Sequence, residues 1–134
     1  MPLGLCFMAN TFSDPPEPPA IQGYMDGETV RMGQAVTLVC ESHGGNPLAR
    51  VIWYKNDKRI DQSDTSSGSV ARNTIMFLAQ PDDNDAEYRC EASNKMTHQP
   101  LSSKIVMAVQ CKRYYKLSIK ILMKILQLLL TKLT

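Results

Sequence analysis

Several short runs of the chain alternate apolar and polar residues with a period of two. In residues 35–41, one side of an extended strand collects Val36, Leu38 and Cys40. In residues 87–93, the same alternation turns three residues inward: Tyr88, Cys90 and Ala92. Similar runs lie at 29–33, 50–56, 71–78 and 101–109, with clusters of Gly, Pro, Asn and Asp between them. This pattern predicts seven or eight short strands and an all-β fold.

The remaining runs add further predicted core residues: Val51, Trp53, Ile75, Phe77, Ile105, Met107 and Val109. Residues 59–60 suggest a short additional strand, and the polar residues 61–69 predict a loop. Residues 80–85 hold a run of aspartates and predict a solvated acidic turn rather than a calcium loop, because the spaced ligands of such a loop are missing.

Trp53 lies between Cys40 and Cys90 in the chain, and each cysteine sits at an inward position of a predicted strand. Two such strands can be tied by a disulfide across a two-layer core, with a large flat side chain packed on the bridge. Tyr88, two residues before Cys90, can hydrogen-bond back to the turn that feeds its strand. A bridge of this kind implies an oxidising compartment; the alternative is two buried free thiols.

Residues 15–110 resemble an immunoglobulin domain of the cell-adhesion superfamily, and in particular the repeated domains of nephrin and its invertebrate relatives. The resemblance is carried by Cys40-Glu41-Ser42, Gly44-Gly45-Asn46-Pro47, Trp53-Tyr54-Lys55 and Asp83-Asn84-x-Ala86-x-Tyr88-x-Cys90-Glu91-Ala92-Ser93-Asn94. It implies a Greek-key β-sandwich. The gap between Trp53 and Cys90 is too short for the two extra strands of a variable-type domain, which favours the constant-like or intermediate set. Most such domains carry an aspartate at the position of Asn84, paired with a basic residue; here Arg72 is the candidate partner for a neighbouring carboxylate.

The resemblance also implies a function: non-catalytic protein binding in cell–cell adhesion, at the cell surface within a longer receptor, or after secretion. The expected partners are other cell-surface immunoglobulin-superfamily proteins, homophilic or heterophilic. The candidate binding face is the outward side of the third, sixth and seventh predicted strands: Ile52, Tyr54, Arg89, Glu91, Lys104 and Val106. The alternative for this face is an ordinary solvated sheet surface. The alternative function is a structural or secreted immunoglobulin module that acts as a spacer and not as an adhesion receptor.

Charge and composition divide the chain into residues 1–20, a domain at 21–110 and a tail at 111–134. The residues before Cys111 hold all thirteen acids and nine of the fifteen basic residues, a balance of 9 − 13 = −4, so nucleic acid is not an expected partner. The other six basic residues lie in the tail. No nucleophile–base set, phosphate-binding glycine loop or CxxC pair occurs in the sequence, and neither an enzyme, a cofactor nor a metal is predicted. His43 and His98 are predicted to be solvated loop residues.

Residues 1–13 make a poor signal peptide because no Lys or Arg precedes the apolar run at 3–9. The expectation is a piece of a longer chain or a mispredicted first exon. Residues 15–19 hold four prolines and predict a stiff connector to an upstream domain; a ligand for a proline-binding groove is the alternative. Cys6 and Cys111 have no evident partner.

In the tail, Lys116, Lys120 and Lys124 recur every fourth residue. Most apolar residues then fall on the other side of a helix: Ile119, Leu122, Met123, Leu126, Leu129 and Leu130. Lysines inside the stretch argue against a membrane span, which needs about 20 mostly apolar residues. Two interpretations stay open: a basic amphipathic helix on a membrane surface and a translated non-coding extension.

Overall fold

A computed structural model of the chain describes residues 12–111 and 113–133, with the side chains of 113–118 left out. Cys6 and most of the predicted signal-like segment lie outside these ranges. The strands are β1 Ala20–Gln22, β2 Thr29–Arg31, β3 Ala35–His43, β4 Arg50–Lys55, β5 Lys58–Asp61, β6 Thr65–Ser67, β7 Val70–Leu78, β8 Glu87–Ser93, β9 Leu101–Val106 and β10 Ala108–Gln110. A 3-10 helix at Pro81–Asp83 precedes β8, and α1 spans Arg113–Lys132.

The strands form two antiparallel sheets that face each other across one core. One sheet has the order β1-β3-β7-β6 and the other the order β5-β4-β8-β9, while β2 pairs in parallel with β10. The second sheet has one strand, β5, beyond the three of a constant-type domain, and the described residues form no second extra strand of the kind a variable-type domain has. The predicted immunoglobulin-like sandwich is therefore confirmed.

The core is built around a disulfide that joins β3 to β8 through Cys40 and Cys90. Trp53 is the Cα partner of Cys90 in the neighbouring strand β4, and all three side chains are fully buried. The indole nitrogen of Trp53 donates a 2.9 Å hydrogen bond to the carbonyl of Asn73, so its one polar group is satisfied inside the core. The predicted inward residues are buried, with Phe77 partly so.

Two predicted boundaries were wrong. The stretch 61–69 contains a strand, β6, which the turn at Gly68 (φ +60°) folds back onto the start of β7. The final strand is divided at Met107, since β9 pairs with β8 whereas β10 pairs with β2. The prediction of a solvated turn at 80–85 fails at one residue, because Asp83 is only 3% exposed.

Residues Arg113–Lys132 are helical, in agreement with the four-residue spacing of the lysines. Within the described residues, no helix is long and apolar enough to cross a membrane. Cys111, between β10 and α1, is an exposed free cysteine.

Candidate partner-binding face

Six predicted face residues lie on the outward side of one sheet, arranged in rows across β4, β8 and β9. Tyr54 is the Cα partner of Arg89, which in turn is the partner of Lys104. Two further pairs flank this row. Ile52 lies opposite Glu91 on one side of it, and Val106 lies opposite Glu87 on the other. Antiparallel pairing brings such partners within about 5 Å at Cβ, so the strand register gathers these side chains into one surface.

Arg89 is the centre of this face. Its guanidinium carbon lies 4.7 Å from the centroid of the Tyr54 ring, a cation–π arrangement. The same guanidinium contacts a carboxylate oxygen of Asp57, lies 3.2 Å from Glu91 and 3.7 Å from Glu87. The hydrogen bond to Asp57, helped by the charge of Glu91, raises the pKa of Arg89 above its ordinary value. The group is therefore a fixed cation held over an aromatic ring.

The rim of the face is more exposed than its centre. The Lys104 side chain is 65% exposed and its ammonium lies 3.6 Å from Glu87, while Val106 is 49% exposed. The Arg89 and Glu91 side chains are each 21% exposed. The surface thus combines a half-buried aromatic–arginine pair with an exposed apolar residue and a polar border, which is the composition found in protein interfaces.

A second polar cluster, distinct from this face, is buried at the start of β8. The hydroxyl of Tyr88 donates a 2.7 Å hydrogen bond to Oδ1 of Asp83, and the Lys55 ammonium lies 2.6 Å from the same oxygen. The backbone amide of Gln80 donates to Oδ2 of Asp83 at 2.7 Å. The carboxylate expected beside Asn84 is therefore Asp83, and its cation is Lys55. Arg72 instead pairs with Glu41, its Cα partner across β3 and β7, so the candidate ion pair of Arg72 with the turn was wrong.

The pKa shifts in this cluster follow from its contacts. Burial alone would raise the pKa of Asp83, but hydrogen bonds from Lys55, Tyr88 and Gln80 outweigh it and hold the pKa below its usual value. Burial, reinforced by the hydrogen bond to Asp83, raises the pKa of Tyr88. Burial would lower the pKa of Lys55, yet the contacts with Asp83 and Asp82 leave it raised. The carboxylate is thus charged and the phenol neutral at neutral pH.

The proline-containing segment lies against the end of the sandwich that carries the Gly44-Gly45-Asn46-Pro47 turn. The amide of Glu17 donates to the carbonyl of His43 at 2.8 Å, and the hydroxyl of Ser42 donates to the carbonyl of Glu17 at 2.8 Å. Asp14 and Asn46 exchange two backbone hydrogen bonds of 2.9 and 3.0 Å. Pro16 and Pro19 are buried. The segment is therefore packed onto the domain along this edge.

Asn94, the last residue of the Cys-Glu-Ala-Ser-Asn motif, ties the same segment from the other sheet. Its side-chain amide donates to the carbonyls of Asp14 and Pro47, at 2.6 and 2.9 Å. Asn46 also donates through its side chain to the carbonyl of Phe12 at 2.7 Å. Two of the motifs that carry the family resemblance, Gly44-Gly45-Asn46-Pro47 and the one that ends at Asn94, thus hold the entering chain.

Three functional or structural residues were missed by the sequence reasoning. Asn73 is buried opposite Cys40, where its side-chain amide donates to the carbonyl of Val51 at 3.0 Å. Asp83 is buried, and Asp57 belongs to the face through its contact with Arg89. Asn73 left a signal as a polar residue at an inward position of the alternating run 71–78, and Asp83 left one as part of the motif around Asn84; Asp57 left none. His43 is exposed as predicted, but it is the last residue of β3 and not a loop residue; it lies 3.5 Å from Glu41. Among the described residues no group of three or more metal-ligating side chains occurs.

Two facing sheets, a disulfide between them and a buried tryptophan against it define an immunoglobulin-type sandwich domain. Residues 18–94 match the model of the immunoglobulin domain family, and the chain belongs to that family. Human nephrin is 35% identical over 100 residues, covering 72% of this chain and 8% of nephrin. Cell adhesion molecule 2 of Xenopus tropicalis is 29% identical over 102 residues, covering 70% of this chain and 23% of that protein.

The crystal structure of Rst domains D1–D2 superimposes with a TM-score of 0.63 at 20% identity, over 73% of this chain and 51% of that one. This likeness supports the fold alone. The chain spans a small part, 8%, of the length of human nephrin. Together with the motifs above, the relatives identify a nephrin-like immunoglobulin module of the cell-adhesion type.

Proposed function

We propose that this module is a non-catalytic protein-binding unit in cell–cell adhesion, carried on the extracellular side of the plasma membrane by a longer receptor. Its partners are other cell-surface immunoglobulin-superfamily proteins, including copies of itself. The observation that carries the proposal is the Arg89 guanidinium held 4.7 Å above the Tyr54 ring on the outward side of β4 and β8. The adhesion proteins among its relatives support the same class of function.

The physical case rests on preorganisation. Tyrosine and arginine are the residue types enriched among interface hot spots. Here the arginine is already held by Asp57 and Glu91, so a partner that binds it immobilises fewer side-chain rotamers. Ile52 and Val106 supply apolar contact beside this pair, and Lys104 with Glu87 supplies a charged border that favours a partner of matching charge pattern.

The test compares affinities of the chain and two variants, Tyr54→Ala and Arg89→Ala, for immobilised ectodomains of nephrin and cell adhesion molecule 2 and for the chain itself. Loss of a hot-spot side chain costs about 2 kcal/mol or more, roughly 30-fold in affinity. Thr37→Ala and Thr74→Ala, exposed on the outward side of β3 and β7, are matched controls on the other sheet. Unchanged affinity of both face variants for a ligand that binds the parent chain would discard the face.

A second candidate function, a spacer within a receptor or a secreted protein, is favoured by the hydrogen bonds that tie Asp14 and Glu17 to the sandwich. A connector bound along the domain edge transmits the orientation of whatever precedes it. Amide hydrogen exchange distinguishes a stiff connector from a loose one: slow exchange at Asp14 and Glu17, comparable with the β3 amides, supports the spacer, and fast exchange removes this support.

A further inference from the structure

The C-terminal helix α1 presents a large apolar surface to solvent. Between residues 119 and 133, ten Leu, Ile and Met side chains are each at least 45% exposed, with Leu133 at 83%. An exposed apolar surface of this extent marks a site of interaction rather than an ordinary solvated helix.

Three polar residues in the middle of α1 form a narrow stripe. Lys120, Lys124 and Gln127 are separated by four and three residues, so at 3.6 residues per turn they share one side of the helix. Apolar residues occupy the rest of the circumference between residues 119 and 131. Ile121, Ile125 and Leu130 are among them, so the apolar surface is wider than the narrow seam of a coiled coil. The helix is therefore amphipathic, with an apolar arc wider than its polar one.

The charge of the segment has one sign. Residues 111–134 contain six Lys and Arg residues and no Asp or Glu, whereas the rest of the chain is acidic. Lysines beside an apolar arc complement a surface that is negatively charged at its boundary and apolar beneath it. We infer that α1 binds in the plane of a lipid bilayer that contains anionic headgroups, with its leucines in the acyl boundary and Lys120 and Lys124 at the headgroups.

Two other arrangements fit the same surface less well. A helix that crosses the bilayer would bury Lys120 and Lys124 in hydrocarbon, at a high cost in free energy. A coiled coil between copies normally places acidic residues opposite basic ones at its flanks. In this segment every charged residue is basic, so helices from two copies would repel one another. The inference concerns the tail and does not depend on the binding face of the sandwich.

The experiment is co-sedimentation of the full chain with two kinds of vesicle, phosphatidylcholine mixed with phosphatidylserine and phosphatidylcholine alone. Tight binding is expected only to the anionic vesicles, and added salt weakens it. Each lysine near an anionic surface contributes about fivefold in affinity, so the double variant Lys120→Gln/Lys124→Gln should bind roughly 25-fold more weakly. The matched control, Lys58→Gln/Lys95→Gln, removes the same charge from exposed positions of the sandwich and should bind as the parent does.

A second variant, Leu122→Gln/Leu126→Gln/Leu129→Gln, keeps the charge and removes part of the apolar arc. Its binding should fall below detection, because attraction by charge alone does not hold the chain on the vesicles. Equal binding to both vesicle types would overturn the inference, as would binding unaffected by either tail variant. Sedimentation equilibrium without vesicles tests the coiled coil. If the parent chain self-associates, the leucine changes abolish this self-association and the parent does not bind vesicles, the inference of membrane binding is overturned.

Discussion

The Tyr88 hydroxyl and the Asp83 carboxylate form a 2.7 Å hydrogen bond inside the sandwich, and each group is held independently of the other. The Tyr88 ring is stacked on Phe77 with the ring centroids 5.1 Å apart. The Asp83 carboxylate is fixed by the Gln80 amide at the start of the 3-10 helix and by Lys55 from β4. The bond therefore ties the turn to β8, the strand that carries Cys90, while the Tyr88 ring contacts Phe77 of the other sheet.

Removal of the Tyr88 hydroxyl should destabilise the domain without disturbing its packing. In Tyr88→Phe the ring stays on Phe77 while a hydrogen bond to a charged group is lost, at a cost of about 1.5–3 kcal/mol in the free energy of unfolding. Chemical denaturation measures the change. Tyr54→Phe, which removes a hydroxyl from the outward face, should alter stability by less than about 0.5 kcal/mol. Equal effects in the two variants would contradict a special role for the buried bond.

The lowered pKa of Asp83 predicts a loss of stability in acid. In the folded chain the Asp83 carboxylate binds a proton less tightly than in the unfolded chain, where an aspartate has a pKa of about 3.9. The stabilisation is complete above that value and disappears as the pH falls through the lower pKa of the folded state. Denaturation curves from neutral pH to below that range should therefore show a smaller acid-induced decrease for Asp83→Asn than for the parent chain.

The adjacent Asp82 provides the control for this titration. Its side chain is 77% exposed, and one carboxylate oxygen lies 3.4 Å from the Lys55 ammonium. Exposed ion pairs contribute about 0–1 kcal/mol, so Asp82→Asn should leave the pH dependence close to that of the parent. A parent-like curve for Asp83→Asn would show that other carboxylates govern the acid response.

The strands and their core residues were predictable because a half-buried strand must alternate. Val36, Leu38 and Cys40 are inward for that reason alone. The alternation within one strand is enough to identify its buried side. β6 was not predictable, since all its residues are exposed and its pairing depends on the turn at Gly68 instead of on burial.

The members of the candidate face were predictable as outward residues, but their contacts were not. Strand register decides that Tyr54 faces Arg89, and no pattern within one strand fixes register. The same cause explains the error over Arg72. Register places Arg72 opposite Glu41 and Lys55 opposite Tyr88, so Lys55 is the basic residue beside Asp83. Whether the face binds a partner remains a prediction.

The Cys40–Cys90 bridge should supply a large share of the stability. It closes a loop with a sequence separation of 50 residues, for which the chain-entropy relation gives about 4 kcal/mol. The double variant Cys40→Ala/Cys90→Ala should lose stability of that order in chemical denaturation, while Cys111→Ser, at an exposed free thiol, should behave as the parent. Mass mapping that joined Cys40 or Cys90 to another cysteine would contradict the assigned pairing.

Gly45 tests the attachment of the proline segment to the sandwich. It adopts φ +90°, and a Cβ there would lie 3.1 Å from the Cα, Cβ and nitrogen of Pro16. Gly33 has nearly the same backbone conformation, φ +85°, with nothing within 4 Å of a Cβ. Both Gly→Ala changes therefore introduce backbone strain of about 1–2 kcal/mol, but only Gly45→Ala also pushes the proline segment away.

The two variants should differ in a local measurement. The amides of Asp14 and Glu17 donate to the carbonyls of Asn46 and His43. These amides should exchange with solvent faster in Gly45→Ala than in Gly33→Ala, when the two variants are compared at equal global stability. Proteolysis near residue 14 should accelerate in the same variant, because a segment released from its hydrogen bonds is more readily cleaved. Equal exchange rates at these amides in the two variants would mean that the proline segment is held without its close contact with Gly45. The Gly-Gly-Asn-Pro turn would then contribute to the structure of the sandwich but not to the attachment of the segment.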